Sequence, residues 1–511
     1  MTRSPHMRRI GIILSILGLL AFAPLSAQIK RLSKFADKTE GFELQVPADW
    51  DQIPTQPDEV DILVKWARDT MARGTGELWE LQVLRFEPKA MTTPGGKEEM
   101  PVGAPEGLGD MSKKDLRKLM RERMRPHSFK EWFKSNIWGA GDLPKAQKGK
   151  FKMNKGKARL YAVPELGSFK GLAAIVGVHN DGTSEWAVMY LVPLKQVMKK
   201  KSGRWRLKNS SLLSKLLKSL QSFRVTEKER VNTDVRPEDM TEMDRKIWEV
   251  KKRLPKGWKV IPTPSKRYVI VHHISQKKTS LITFVKKIVA YLDHARDKYE
   301  VLFPPRKPIT AVSVVRVCED REEYHQYGGP GGSAGYWNSA DEELVIYNAS
   351  KEGGKKDSYS TLFHEAFHQY IYYAVGEISP HSWYNEGFGD YFAGMNPKKG
   401  FKIETFKWRT GVVRNAVAGK KNVPLKDLIH YTQGQYYSNP SVCYAQGWAL
   451  IYFLNSKVAK KNPRWAKILD IYFDTLVETG DKDGAVTKAF DGVDVDALDE
   501  AYQQFITRGF K

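Results

Sequence analysis

Residues 361–370 of this chain read TLFHEAFHQY, and this stretch decides how the C-terminal half is interpreted. His364 and His368 are four residues apart, so a helix places both imidazoles on one face, where they can reach the same metal ion. Glu365 lies beside them, placed to take a proton from water that the ion activates. We predict that the helix carrying this group begins near Asp357 or Ser358.

A second motif, with two acidic residues, follows downstream, and its glutamate lies eighteen positions after His368. Residues 385–390 read NEGFGD, so Glu386 and Asp390 are also four apart and share a helix face. A catalytic zinc usually takes three protein ligands and keeps a fourth position open. We therefore predict Glu386 as the third ligand beside His364 and His368, and Asp390 as the acceptor of a spare histidine N–H. The alternative is that Glu386 is a solvated glutamate at the start of a helix.

These two motifs resemble those of the gluzincin metallopeptidases, the superfamily of thermolysin and aminopeptidase N. The segments GGPGGSAGYW, ELVIYN, TLFHEAFHQY and CYAQGWAL, in that order, further resemble the secreted peptidase-MA-like proteins of bacteria. The resemblance spans roughly residues 250–511. It implies a thermolysin-like domain with a mixed sheet and a helical half, a Zn²⁺ cofactor, and hydrolysis of a peptide or protein substrate with Glu365 as general base. The aminopeptidase motif that binds a free amine is absent, which favours an endopeptidase over an aminopeptidase.

The same resemblance implies residues that contact the substrate. Gluzincins carry a downstream tyrosine or histidine that donates to the oxyanion, and Tyr444 matches its place, with Tyr436 and Tyr437 as competitors. The strand predicted at 343–347 resembles the edge strand whose backbone pairs with an extended peptide. The predicted substrate-binding residues are Gly335, Tyr336, Val345, Ile346, Tyr347 and His381.

The elements around these motifs indicate an α+β fold. Runs rich in apolar and β-branched residues predict strands, and a long amphipathic stretch predicts a helix between them. Helical patterns then take over from about residue 355, and strands followed by helices are typical of the α+β class. The predicted strands are 259–262, 268–273, 309–318 and 343–347, and the predicted helices include 280–303 and 441–454.

Residues 28–225 form a separate predicted unit, joined by a linker at 226–237 to the metallopeptidase-like residues 238–511. Its predicted elements are strands at 42–47, 79–83, 172–178 and 186–192 and a helix at 211–223, and the second of these strands could run on to 86. Strands closed by a terminal helix favour an α+β sandwich. The opening FELQVPADW and the closing LLKSLQSFRV resemble the small PsbP/Mog1-like domains, which implies a binding or docking role and no catalytic group.

Positive charge is concentrated at the end of this first unit. The chain has a formal net charge of +24, and residues 143–225 hold 18 basic and 3 acidic side chains. This balance favours anionic envelope polymers or acidic lipid headgroups as partners, and the alternative is a merely soluble, lysine-rich surface. Nucleic acid is not expected, because we find no stacking aromatics clustered beside a basic groove.

The N-terminal residues 1–27 have the three-part layout of a signal peptide. Arg3, Arg8 and Arg9 precede a short apolar segment at 10–23, and small residues follow it. We therefore expect export to the periplasm or the exterior, with an uncleaved anchor as the alternative. Export permits a Cys318–Cys443 disulfide, but the sequence does not show that the two meet. The alternative function is a zinc-containing docking protein of the envelope that does not hydrolyse.

Overall fold

The structure is a computed structural model that describes residues 29–56, 59–68, 79–87, 125–137, 142–167, 169–228, 240–339, 341–349 and 358–510. The predicted signal peptide and most of the predicted linker lie outside these ranges. So do the surface loop and the charged helix that the sequence predicts at 90–112 and 112–124. The described residues divide into two compact units. The first holds those before residue 240 and Val250–Lys256, and the second holds Met240–Glu249 and the residues from Gly257 onward.

The first unit is built on antiparallel sheets. Its strands are β1 (Leu32–Asp37), β2 (Phe42–Pro47), β3 (Asp51–Ile53), β4 (Ile62–Ala67), β5 (Glu80–Phe86), β6 (Phe151–Met153), β7 (Gly156–Leu166), β8 (Phe169–Asn180), β9 (Glu185–Pro193), β10 (Met198–Lys201), β11 (Arg204–Leu207) and β12 (Arg224–Val225). Its helices are α1 (Phe129–Asn136), α2 (Leu194–Val197) and α3 (Ser211–Ser222). The strands form a seven-stranded sheet in the order β3-β4-β5-β9-β8-β7-β6, a three-stranded sheet β1-β2-β12 and the ribbon β10-β11.

The seven-stranded sheet is covered on both faces, which explains the continuous apolar run of β9. Val188 of β9 lies in one core with Leu216 of α3, whereas Met189 lies in the other core with Phe133 of α1. Successive strand residues point to opposite faces, so a strand buried on both sides is apolar throughout. The side chain of Ser210 caps α3 by accepting from the Leu213 N–H, as a serine at this position commonly does. This arrangement of a sheet packed against a terminal helix agrees with the α+β sandwich predicted from the sequence.

The second unit begins with a small sheet and continues in helices. Its strands are β13 (Lys259–Pro262), β14 (Tyr268–His272), β15 (Ser313–Cys318), β16 (Gly335–Asn338), β17 (Glu343–Tyr347), β18 (Met395–Asn396) and β19 (Lys402–Ile403). Its helices are α4 (Glu242–Arg253), α5 (Thr279–Leu302), α6 (Arg321–Gln326), α7 (Ser358–Ala374), α8 (Ser382–Ala393), α9 (Lys407–Ala418), α10 (Leu425–Leu428), α11 (Gln433–Ser438), α12 (Pro440–Leu454), α13 (Ile468–Thr479), α14 (Lys482–Ala489) and α15 (Val495–Thr507). The last residues of α4 are grouped with the first unit. Single 3₁₀ turns lie at Pro397–Lys399, Ala459–Lys461 and Trp465–Lys467. The predicted α+β class is confirmed.

The sheet of the second unit is mixed, with the order β13-β14-β15-β17-β16. β17 pairs in parallel with β15 on one side and antiparallel with β16 on the other. The prediction that 343–347 is the edge strand is therefore wrong, although its bounds are right. The edge strand on this side of the sheet is β16, a four-residue strand whose pairing partner comes later in the chain.

Helix α8 packs against both α7 and α12, and glycines bring α8 and α12 close together. A Cβ on Gly387 of α8 would lie 2.7 Å from the Gly447 carbonyl oxygen and 2.7 Å from Ile451 Cγ1, both on α12. Cys318 and Cys443 are both buried and free, so the disulfide that the sequence left open is not formed. Among the described residues, no helix has both the length and the apolar character needed to span a bilayer.

Candidate metal centre and active site

The three predicted ligands lie together in the space between α7 and α8. His364 Nε2 lies 3.1 Å from Glu386 Oε2, and His368 Nε2 lies 3.2 Å from the same oxygen. Glu386 is buried, so the alternative of a solvated glutamate does not hold. The helix geometry produces this meeting, since i and i+4 on α7 face the N-terminal half of α8, where Glu386 is the fifth residue.

The other nitrogen of each imidazole has its own acceptor. His364 Nδ1 lies 3.1 Å from Asp390 Oδ1, and His368 Nδ1 lies 3.0 Å from Asn385 Oδ1. With its proton on Nδ1, a neutral imidazole presents a lone pair at Nε2. Two such lone pairs and a carboxylate oxygen then converge on one point. This donor set can hold a cation at its centre.

The distances fit a zinc ion. Zn²⁺ binds histidine nitrogen and carboxylate oxygen at about 2.0–2.1 Å in a tetrahedron, which sets ligand atoms roughly 3.3 Å apart. The two nitrogen–oxygen separations are close to this value, and the three ligand atoms all lie within 4.8 Å of one another. Asp390 and Asn385 supply the outer hydrogen bonds that orient zinc-binding histidines.

The pKa shifts within the cluster show that a proton binds favourably to His364. Burial by itself would lower the pKa of His364, but its hydrogen bonds with Asp390 and Glu386 raise that pKa well above its usual range. Burial would likewise raise the pKa of Glu386, but His368 and His364 hold it well below its usual range. A metal ion and protons therefore compete for the same lone pairs.

Glu365 is held beside the ligands by the edge strand. Its Oε2 accepts a hydrogen bond of 2.9 Å from the backbone N–H of Trp337 on β16. Burial raises the pKa of Glu365, although the neighbouring histidines oppose the rise. A carboxylate with a raised pKa is better matched to proton transfer near neutral pH. The close approach of α7 to β16 depends on Gly335, where a Cβ would lie 2.9 Å from Thr361 Cγ2.

Arg409 of α9 joins two sides of the site. Its Nε donates to Asp390 Oδ2 at 2.5 Å, so Asp390 bridges this guanidinium and His364. The guanidinium carbon lies 4.0 Å from the centroid of the Trp408 ring and 4.9 Å from that of Tyr444. One buried cation therefore positions both the outer carboxylate and a predicted catalytic tyrosine.

The three candidate tyrosines occupy different places. Tyr436 is fully buried and its hydroxyl donates to the Cys443 carbonyl, which leaves it no role at the site. Tyr437 donates from its hydroxyl to Glu386 Oε1 at 2.6 Å. The Tyr444 ring stacks on the His364 ring, with 6.4 Å between centroids, and also on the Tyr437 ring. The structure thus brings both Tyr437 and Tyr444 to the cluster.

The predicted substrate-binding residues separate into two groups. Gly335 and Tyr336 lie on the true edge strand, beside Glu365. Val345, Ile346 and Tyr347 are buried within the sheet, where β17 pairs on both sides, so their backbone is not open to a peptide. The difference arises from the order of the strands in the sheet. That order depends on residues far apart in the sequence, so the apolar pattern of a single strand does not predict it.

His381 is also misplaced by the sequence interpretation. It precedes α8, and its ring is buried against Tyr472 and the Asp483 carboxylate rather than against the ligands. Its backbone N–H donates to the Tyr472 hydroxyl as well. His381 therefore fixes the start of α8, and it is not a cleft residue.

Sequence reasoning missed several residues of this site. Asn385 and Gly389 lie inside the NEGFGD motif, and their position beside Glu386 and Asp390 is the signal that could have indicated contact with the histidines. A Cβ on Gly389 would lie 2.8 Å from His364 Cε1, so only glycine leaves room for the imidazole. Trp337 acts through its backbone, and Arg409 belongs to no motif.

Comparison with known proteins adds little to this geometry. No family model matches the chain, and no curated protein matches it. Cyanobacterial PsbP from Synechocystis aligns over 40% of this chain and 98% of its own, with 13% identity and a TM-score of 0.22. Yeast LTA4 hydrolase in complex with bestatin aligns over 71% of this chain and 61% of its own, with 11% identity and a TM-score of 0.33. The chain thus spans about three fifths of that hydrolase, and neither likeness supports a function for it.

Proposed function

We propose that this chain is an exported, zinc-dependent peptidase, and that it cleaves within peptide chains. The observation that carries the proposal is the convergence of His364 Nε2, His368 Nε2 and one Glu386 oxygen, with the Glu365 carboxylate beside them. A site that only stores a metal has no chemical need for a fixed base next to its ligands. When bound, Zn²⁺ supplies a Lewis acid that polarises a carbonyl and lowers the pKa of water to about 7.

The chain's own residues would perform the proton transfers. Glu365 takes a proton from the attacking water and returns it to the nitrogen of the departing amine, so one carboxylate acts first as base and then as acid. The Trp337 N–H holds one Glu365 oxygen, so the carboxylate cannot rotate away from the reacting atoms. Tyr444 is the candidate donor to the oxyanion, a contribution that is typically worth about 10²–10³-fold in rate.

The edge strand β16 is the candidate surface for the substrate backbone. Two of its polar groups are already engaged, because Ser333 donates to the Gly335 carbonyl and Glu365 accepts from the Trp337 N–H. A peptide that adds to this edge must therefore use the remaining groups or displace the Ser333 hydroxyl. This surface replaces the β17 backbone that the sequence suggested.

The proposal is tested by Glu365→Gln in the full chain. The amide keeps the size of the side chain but removes its basicity, and Glu365 is not among the ligands. Zinc content should hardly change, while cleavage of an unfolded protein such as casein should fall by roughly 10²–10⁴-fold. His364→Ala should lose zinc and activity together, since a ligand is removed. Peptides with free and with blocked amino termini distinguish the two kinds of peptidase.

A matched control is Glu478→Gln, which makes the same chemical change on an exposed residue of α13. It should cleave as the wild type does. Equal cleavage by wild type and Glu365→Gln would contradict the catalytic assignment. Zinc binding without cleavage on any substrate would favour the docking protein that does not hydrolyse.

A further inference from the structure

The ribbon β10-β11 of the first unit presents four cationic side chains on one face. In its antiparallel register Lys199 lies opposite Arg206, and Lys201 lies opposite Arg204. Directly opposed residues of such a pair share a face and lie about 5 Å apart, and residues two apart along a strand are separated by roughly 6.7 Å. The four charges therefore form a small rectangle. All four side chains are exposed.

The other face of the ribbon fixes this rectangle in place. Met198 lies in the core, and Trp205 and Leu207 pack against that core. The ammonium group of Lys200 lies 5.1 Å from the centroid of the Trp205 ring. Since the apolar side chains are held inward, the ribbon cannot rotate to pair its four cations elsewhere. The turn at Ser202 supplies no apolar side chain to the outward face.

No acidic side chain compensates these charges nearby in the sequence. Residues 186–226 contain ten lysines and arginines and no aspartate or glutamate. Within the ranges that the structure describes, none of the four outward cations has an acidic partner. Like charges placed directly opposite each other destabilise a strand pair. A ribbon that keeps two such pairs is suited to an anionic ligand that removes the repulsion.

We propose that this outward face binds a linear polymer of closely spaced phosphate groups. A phosphate group carries at most about two negative charges, so four cations call for at least two groups held near each other. The planar guanidinium groups of Arg204 and Arg206 can each donate two hydrogen bonds to phosphate oxygens. The ammonium groups of Lys199 and Lys201 add compact positive charges. A flexible chain can set neighbouring phosphates on the rectangle. This binding is independent of the peptidase chemistry.

Two other polyanions fit this face less well. Peripheral membrane proteins usually combine charge with a lipid chain or inserted apolar groups, and here Trp205 and Leu207 face the core. Single-stranded nucleic acid is normally held by bases stacked on exposed aromatic rings, and the outward face carries none. The outward face of the ribbon therefore binds phosphate groups through charge, without apolar or stacking contacts.

The test measures the affinity of the full chain for linear inorganic polyphosphate as a function of salt. Four phosphate contacts predict that log K falls with log salt with a slope of roughly −3, which is about 60-fold between 50 and 200 mM. The variant Lys199→Gln, Lys201→Gln, Arg204→Gln, Arg206→Gln should lose most of that slope. Its melting temperature should not fall, because repelling pairs are removed. The double variant Lys199→Gln, Lys201→Gln should lose about half of the slope, and it serves if the fourfold variant fails to fold.

A matched control removes four exposed lysines of the second unit and so changes the net charge equally. These are Lys457, Lys460, Lys461 and Lys467. The control should keep the wild-type slope. The proposal is overturned if both fourfold variants bind polyphosphate alike, or if phosphatidylglycerol vesicles bind tightly while polyphosphate does not. Tighter binding of a single-stranded oligonucleotide at equal phosphate concentration would also overturn it.

Discussion

At the residue scale, two tyrosines make different contacts with the candidate metal ligands. Tyr437 donates to the second oxygen of Glu386, the one that does not face the histidines. Tyr444 instead stacks on the His364 ring and lies under the Arg409 guanidinium. The first contact orients a ligand, whereas the second places a hydroxyl-bearing ring beside the site. Removal of the hydroxyl group should therefore affect different properties at the two tyrosines: zinc affinity at Tyr437 and the catalytic rate at Tyr444.

We expect Tyr437→Phe to weaken zinc retention by about 10–100-fold, the usual cost of losing an outer hydrogen bond to a metal ligand. Activity at saturating zinc should remain within a few-fold of wild type. Competition with a chelator measures the zinc affinity, and cleavage rates with added zinc measure the activity of the zinc-saturated variant. Unchanged zinc affinity would show that the Glu386 contact is not needed for binding.

We expect the opposite pattern from Tyr444→Phe. Zinc affinity should be kept, and kcat should fall by about 10²–10³-fold if this hydroxyl donates to the oxyanion. The two variants control for each other, because both remove one hydroxyl from neighbouring stacked rings. A kcat loss in Tyr437→Phe instead of Tyr444→Phe would reverse the assignment.

At the element scale, the contact between α7 and α8 depends on Gly389. Its missing side chain leaves room for His364, whose ring atoms would lie 2.8–3.0 Å from a Cβ at this position. We expect Gly389→Ala to displace the imidazole, to reduce zinc affinity and to lower activity, even though alanine favours a helix. Gly411→Ala on α9 is the matched control, since a Cβ there meets no atom within 4 Å. The control should gain up to about 1 kcal/mol in free energy of unfolding.

Local patterns predicted the elements that carry the ligands, because the spacing of i and i+4 on a helix is a short-range property. They did not predict the partners of those elements. Glu343–Tyr347 was recognised to the residue as a strand, but its place inside the sheet depends on β15 and β16. Arg409 is 19 residues from Asp390 and Tyr437 is 51 residues from Glu386, and no periodicity relates positions so far apart.

The ribbon β10-β11 was missed for a different reason. Its outward positions are lysines and arginines, and lysine is depleted in strands. The pairing is set instead by a two-residue turn, in which Ser202 and Gly203 both have positive φ. Such turns match the twist of the flanking strands. Composition located the positive charge in this region, but only the register shows that four of the charges share a face.

At the scale of the whole molecule, the two units have separate cores, and the candidate metal ligands found among the described residues lie in the second. A ligand that binds the native state stabilises it by about 2.7 kcal/mol when its concentration is 100 times its Kd. For a unit of this size, 1 kcal/mol raises Tm by roughly 2–4 °C. Zinc should therefore raise the melting temperature of the second unit by roughly 5–10 °C and leave that of the first unchanged.

Scanning calorimetry of the full chain with zinc and with a chelator measures this effect. We expect two transitions, of which one moves with zinc, because units with separate cores can unfold independently. His364→Ala is the control, since the loss of one ligand should make both transitions insensitive to zinc. A single transition that shifts as a whole would mean that the units unfold cooperatively. Two transitions that shift equally would place a second zinc site in the first unit.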